Sequence, residues 1–329
     1  MRNIQLLGIC LILLFLFPPV IGLAQVSTTI QETNNGSENS TTLPSDQTES
    51  DGSLMLSALR SARQKLQNDL INTNQNKTKP VFVTSYSSPV EITLALWQED
   101  LNQIIYLTAY KAGKKIQLKE KSDYKIEIIY DNGVNSQYKV SGQPLAYVVA
   151  VIHPIYHSVG SARQPLYRLE NVVYAPFHNY MVKPAFITAG QDYFENKIKA
   201  VYSELRNNGV KSYAYPKELL ADTLDPALVK VIIAIEHVSA SQLLNNDHYD
   251  YLSQFYVTLA ANEYASYAYA KSSASARGLV QFIPSTYNSL KKLRPSLTLQ
   301  PDFVLGMTDP YNAIKAAIGL MDYNLIFIP

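Results

Sequence analysis

The sequence predicts an α+β protein, with a β-rich N-terminal region followed by a helical C-terminal one. Two patterns carry that expectation. Tyr124-Lys125-Ile126-Glu127-Ile128 alternates with period two, and Asn132-Gly133 follows as a hairpin turn. Past Asp225-Pro226, the residues Leu228, Val231, Ile232 and Ile235 recur at the i, i+3, i+4, i+7 spacing of a core helix. A third observation sets the scale. A chain of 329 residues, 47% of them hydrophobic, can fill sizeable cores and suggests roughly two folded units.

Taken in order, the chain opens with a targeting pattern. Arg2 is followed by an apolar run from Leu6 to Phe17, then Pro18-Pro19 and the small-residue site Gly22-Leu23-Ala24. This predicts a signal peptide over residues 1–24 and an exported protein, in the periplasm, cell envelope or medium. Cys10 is the only cysteine and lies within that segment, so the mature chain has no disulfide and no thiol chemistry. Residues 25–79 read as a low-complexity tether with a short amphipathic helix carrying Leu56, Leu59, Leu66 and Leu70. Residues 80–190 read as a β-rich domain of unknown type. A strand over Tyr147–Ile152 is expected to break at His153-Pro154. Residues 191–329 read as the helical domain. A helix over Asp192–Asn207 ends at Asn208-Gly209, and Asp225 caps the next, with Pro226 at its first position.

Charge excludes several functions. Lys and Arg number 28 against 27 acidic residues, a net +1 with no basic run, so no nucleic-acid partner is expected. Neither a GxGxxG nor a GxxxxGK[ST] loop occurs among 13 glycines, and no cofactor is implied. The 24 tyrosines suit carbohydrate or protein contacts, and equally a half-buried sheet. His153, His157 and His178 lie among prolines and strand ends. They read as surface or turn residues, and no metal site is expected.

Glu236 ends the apolar run Val231–Ile235. A carboxyl in such surroundings has a raised pKa and holds its proton, as a general acid requires. The competing reading is a side chain that reaches solvent past the last turn. His237 points about 100° away from Glu236 on a helix and is assigned no catalytic role. Downstream, Ser272-Ser273-Ala274-Ser275-Ala276-Arg277-Gly278-Leu279-Val280-Gln281 starts with small residues, which let backbone approach a ligand, and leads into an amphipathic helical stretch. Gln281 offers a donor and an acceptor. Asp309-Pro310 opens a last helix with alanines for close packing.

Together these residues resemble the lysozyme-like catalytic domain of lytic transglycosylases. That pattern is a helix ending in Glu, then Ser-x-x-Gly-Ala-x-Gly-Leu-Met-Gln, Pro-x-Thr and Asp-Pro-x-x-Asn. Glu236, the block Ser272–Gln281, Pro284 with Thr286, and Asp309-Pro310 with Asn312 match it over roughly residues 215–324. The resemblance implies a peptidoglycan lytic transglycosylase that cleaves the bond between N-acetylmuramic acid and N-acetylglucosamine. Glu236 would be general acid and then base, and a 1,6-anhydro ring would form. It implies Ser272, Ser275, Gly278 and Gln281 as substrate-binding residues, glycan strands as the partner, and neither metal nor cofactor.

The sequence also departs from the pattern. His237 stands where the family has Ser, and Ser275 where it has Gly. Glu236 and Gly278 are 42 positions apart, longer than in many members, so an extra helix around Tyr251, Phe255 and Tyr256 is expected between them. Asp247, Asp250 and Glu263, in that insertion, are expected to be solvated. A carboxylate of this group reaching the far face of the sugar would instead give hydrolysis. The family's Ala-Tyr-Asn-x-Gly segment is absent before Pro329, so a truncated domain is expected. The alternative function is a non-catalytic envelope protein that binds peptidoglycan or a protein partner.

Overall fold

Strand β2 (Val90–Gln98) shows how the β-rich half is built. Ala95 and Trp97 pack on one face, and Ile92, Leu94 and Leu96 on the other. A strand covered on both faces reads as a nearly continuous apolar run, as this one does. The computed structural model describes residues 47–76, 80–161, 163–237, 251–272 and 274–327. They belong to one compact unit, Ser45–Pro329. The signal-peptide expectation over residues 1–24 lies outside the described residues.

The main sheet has six antiparallel strands in the order β1-β8-β7-β2-β3-β4. Besides β2 these are β1 (Phe82–Val83), β3 (Gln103–Ala112), β4 (Lys115–Leu118), β7 (Ala146–Ser158) and β8 (Tyr167–Tyr174). A separate hairpin, β5 (Lys125–Tyr130) with β6 (Gln137–Ser141), covers one face through Ile126, Ile128 and Tyr138. The turn between them is a 3-10 segment, Gly133–Asn135, entered from Asn132. The period-two reading of residues 124–128 therefore corresponds to a real strand.

The other face is covered by α1 (Gln47–Asn76), whose Met55, Leu59, Ala62, Leu66 and Leu70 are buried against Ala95, Trp97, Val149 and Val173. The expected short helix is in fact 30 residues long, and the polar tether does not extend through residues 47–76. Composition hid this because one narrow apolar stripe is diluted by Gln, Asn and Asp on the exposed faces. The expected break at His153-Pro154 is also corrected, because β7 continues to Ser158. Pro154 pairs with Asn171 of β8, beyond the last pair with β2 at Thr93–Ile152. With a neighbour on one side only, the strand tolerates the missing N–H.

Helices α2 (Pro184–Asn207), α3 (Pro226–Ile235), α4 (Tyr251–Asn262), α5 (Pro284–Leu293), α6 (Phe303–Thr308) and α7 (Pro310–Leu325) build the second core. Gly209 has φ +62° and closes α2 as expected. The Asp225 and Asp309 side chains accept from Ala227 N at 2.8 Å and Tyr311 N at 3.0 Å, capping α3 and α7.

The expected extra helix is present as α4, but as a central element. Phe255 and Leu259 lie in the helical core, and Val257, Ala260 and Ala261 in the core under the sheet. A helix apolar on all sides belongs in such a position. A side chain at Gly190 of α2 would stand 2.0 Å from the Tyr256 carbonyl, so glycine is required for this crossing. Asn262 fixes the end of α4 to the end of the sheet, exchanging hydrogen bonds of 2.8 and 2.9 Å with the backbone of Ala175.

The core stripe assigned to α3 needs correction. Leu228, Val231 and Ile235 are exposed, and Val229, Ile233 and Ala234 face the core. The helix is apolar nearly all round, so two stripes satisfied the same spacing, and packing selected the other.

Candidate active site

Glu236 follows the last turn of α3, with right-handed helical backbone (φ −60°, ψ −17°). It is exposed to solvent, as the competing reading of the sequence had it. The surrounding protein nevertheless raises its pKa above the ordinary carboxylate value by desolvation. Partial access makes this a smaller effect than full burial would give.

The next residue anchors this chain end. His237 Nε2 lies 2.6 Å from the Leu279 carbonyl. A carbonyl only accepts, so Nε2 carries the proton. The imidazole lies on the Tyr267 ring at 3.8 Å between centroids, and Phe255 of α4 stands 5.7 Å away. Burial lowers the His237 pKa to about 4, so it is neutral at physiological pH. The end of α3 is thus fastened to the Leu279–Gln281 segment, across 42 residues of chain.

The block itself is a series of tight turns. Helix begins only at Pro284, which corrects the helical reading of its second half. Ser272 Oγ accepts from Ala276 N at 3.1 Å, and Ser275 N donates to Ser272 O at 3.0 Å. Ser275 has φ +64°, so the position where the resembled family has Gly does demand left-handed backbone. Gly278 has φ +73°, and a Cβ there would lie 1.9 Å from the Met307 carbonyl. Its missing side chain makes room for α6. Gln281, at φ +48°, donates from Nε2 to Gly278 O at 2.8 Å, which leaves its Oε1 as the acceptor on this turn. The fold therefore collects Ser272, Ser275, Gly278 and Gln281 in one loop and brings the chain next to Glu236 against it. Ser272 and Gly278 are engaged in shaping that loop.

Asn312 holds the floor. Its amide nitrogen donates to Tyr287 OH and Gly306 O, each at 2.9 Å, and its oxygen accepts from Gln300 N at 2.8 Å. Behind it, the buried Asp322 carboxylate takes Arg294 at 2.5 Å, Ser212 Oγ at 2.5 Å and Tyr213 N at 2.7 Å.

A second glutamate, Glu263, was expected to be solvated, and its side chain is 39% exposed. Glu263 follows the central helix α4, with φ +49°, and pairs with Arg60 of α1 at 3.3 Å. Arg63 donates to the Ala261 and Asn262 carbonyls at 2.7 and 3.1 Å, closing the end of α4. A cavity of about 160 Å³ opens there between Arg60, Arg63, Glu263 and Tyr264. The available signal was the apolar run Val257–Ala261, followed by Glu263 nine positions before Ser272. Asp247 and Asp250 lie outside the described residues.

The three histidines of the β half do not converge. His157 contacts Glu170 at 2.8 Å, and His178 Nδ1 accepts from Tyr180 N at 3.0 Å. His153 of β7, opposite Val172 of β8, is buried, contrary to its expected surface position.

Residues 244–326 match the family model of the transglycosylase SLT domain. This agrees with the resemblance read from the sequence. The matched segment runs from before α4 through α7, holding Glu263 and the Ser272–Gln281 block, and starts eight positions after Glu236. Comparison with the curated proteins and with solved structures gives no match. The SLT match supports lytic-transglycosylase or lysozyme-like action on peptidoglycan, and with it a location outside the cytoplasm.

Proposed function

We propose that this protein is an exported lytic transglycosylase in which Glu236 carries out the proton transfers. The observation that supports it is the His237–Leu279 hydrogen bond, which holds the end of α3 against the SLT block. Desolvation raises the Glu236 pKa, which is the direction a general acid requires.

In this reading Glu236 first donates its proton to the glycosidic oxygen, and the C1–O4 bond breaks. The C6 hydroxyl of the muramic residue then attacks C1. Glu236, now a carboxylate, removes the hydroxyl proton and returns to its starting state. The nucleophile belongs to the substrate, so proximity replaces an activated water. Gln281 and Ser275 contact the sugar, while Ser272 and Gly278 set the shape of the loop that carries them. Mass analysis of muropeptides released from purified peptidoglycan tests the reaction. Anhydro ends, one water lighter than hydrolysed ends, are expected. Hydrolysed ends alone would overturn it.

A second assignment is favoured by one observation. Glu263 lies inside the matched segment, ends a buried helix, and borders a cavity. It would act as the acid if Arg60 released it on substrate binding. Separate Glu→Gln variants at the two positions distinguish the assignments.

A further inference from the structure

The β half carries a groove that shares no residue with the Glu236–Gln281 site and lies outside the SLT segment. It has a volume of about 820 Å³, within the range of ligand sites, between the C-terminal part of α1 and strands β1, β2, β7 and β8. Its lining combines apolar wall with Asn171, Glu91, Glu170 and Arg168.

Three tyrosines extend this wall. Tyr156 of β7 pairs with Leu169 of β8, which lines the groove, and Tyr167 lies two residues before Leu169 on the same face of the strand. Tyr86, 55% exposed, packs on both, with ring centroids 4.4 Å from Tyr167 and 4.9 Å from Tyr156. A large exposed aromatic held by two others is a preorganised flat surface, not a mobile side chain.

The chemistry of the lining selects an occupant. On the tyrosine side the carboxylates of Asp69 and Glu91 are paired with Lys65 at 2.6 Å and Lys119 at 3.0 Å, while strand alternation turns Arg168 and Glu170 to the other face, so this wall suits an uncharged polymer. Carboxylates and an amide accept from and donate to hydroxyl and acetamido groups. Aromatic faces take the apolar C–H faces of a sugar ring. Both are needed together for an uncharged, hydroxyl-rich chain.

We infer that this groove binds a β-1,4-linked acetamido-sugar strand, with Tyr86 and Tyr167 as the stacking platform and Glu91 and Asn171, the latter on the same face of β8 as Tyr167, as hydrogen-bonding partners. It would hold the polymer while the SLT segment acts on it. The inference rests on peptidoglycan being the substrate, but not on which glutamate is catalytic.

The test uses the full mature chain with purified insoluble peptidoglycan and a soluble β-1,4-linked N-acetylglucosamine oligomer. Tyr86→Ala and Tyr167→Ala should each weaken binding to both about tenfold. Turnover of short soluble glycan strands should stay at the parent level. Tyr86→Phe keeps the stacking face and should bind like the parent, which separates lost contact from lost fold. Unchanged binding in both alanine variants overturns the inference. So does a parent that binds stem peptides but no oligomer, or a Tyr86→Phe variant as weak as Tyr86→Ala. A parent that cleaves nothing, with sugar binding that still falls in the tyrosine variants, supports the groove and refutes the catalytic reading. The reverse result refutes the groove alone.

Discussion

Replacing His237 tests how the end of α3 is held. The ring donates to Leu279 O at 2.6 Å and lies on Tyr267 at 3.8 Å. His237→Ala leaves a buried carbonyl without a partner, worth roughly 1–3 kcal/mol. It also removes a ring contact worth about 0.5–1.5 kcal/mol. A loss of about 2–4 kcal/mol in urea denaturation at pH 7 is expected. His237→Phe keeps the ring and should recover the second part only. A pH series adds a signature that mere packing would not give. The folded-state pKa of about 4 lies below the ordinary 6.5. Between these values the unfolded chain binds more protons, so stability falls as pH drops from about 6.5 towards 4. The difference is on the order of 3 kcal/mol for one such group. His153, also lowered to about 4 by burial, contributes the same trend. His237→Phe should therefore flatten the acid limb by about half while His153 sustains the rest. An unchanged acid limb together with parental stability in His237→Ala would refute the anchoring role.

Four further outcomes follow from the packing and the leader. Ser275→Gly should stabilise by about 1 kcal/mol, because φ +64° disfavours a side chain, whereas Gly278→Ala should cost more than about 2 kcal/mol, because its Cβ meets the Met307 carbonyl; thermal melts report both. Asp322→Ala strands the buried Arg294 and should cost about 3–5 kcal/mol by the same measurement. Mass measurement of the exported protein should show a chain that begins at Gln25, and retention of residues 1–24 would contradict the leader reading.

The sequence made visible what depends on local chemistry. The caps at Asp225 and Asp309, the glycine stop at Gly209 and the alternation in β5 are written in adjacent residues, and each appears where expected. What needed the structure depends on partners distant in the chain. Either face of α3 satisfied a helical stripe, and the choice fell to α2 and α7, which local spacing does not encode. Pro154 looked like a strand end because its neighbours across the sheet were unknown. The apolar stripe of α1, Leu56, Leu59, Leu66 and Leu70, was legible, but not the helix's 30-residue extent or its core partners on β2, β7 and β8. The Ser272–Gln281 turn was legible as a motif and lies inside the matched segment, whereas Glu236, read from the same motif, precedes it. Their connection through His237 was not legible, because a ring assigned no role turned out to bond a carbonyl 42 positions away.

The central claim is that Glu236 moves the proton. Release of anhydro-muropeptides from purified peptidoglycan should be compared for the parent, Glu236→Gln and Glu263→Gln, with folding checked by circular dichroism. Glu236→Gln keeps the shape and loses the transferable proton, so its rate should fall about 10²–10⁴-fold. The raised pKa means that ionising Glu236 opposes folding at neutral pH, so this variant should be at least as stable as the parent. Glu263→Gln, which weakens only the pair with Arg60, should keep most of the activity. A folded Glu236→Gln protein that releases anhydro-muropeptides at the parent's rate, beside an inactive Glu263→Gln protein, would contradict the assignment and move the catalytic role to the end of α4.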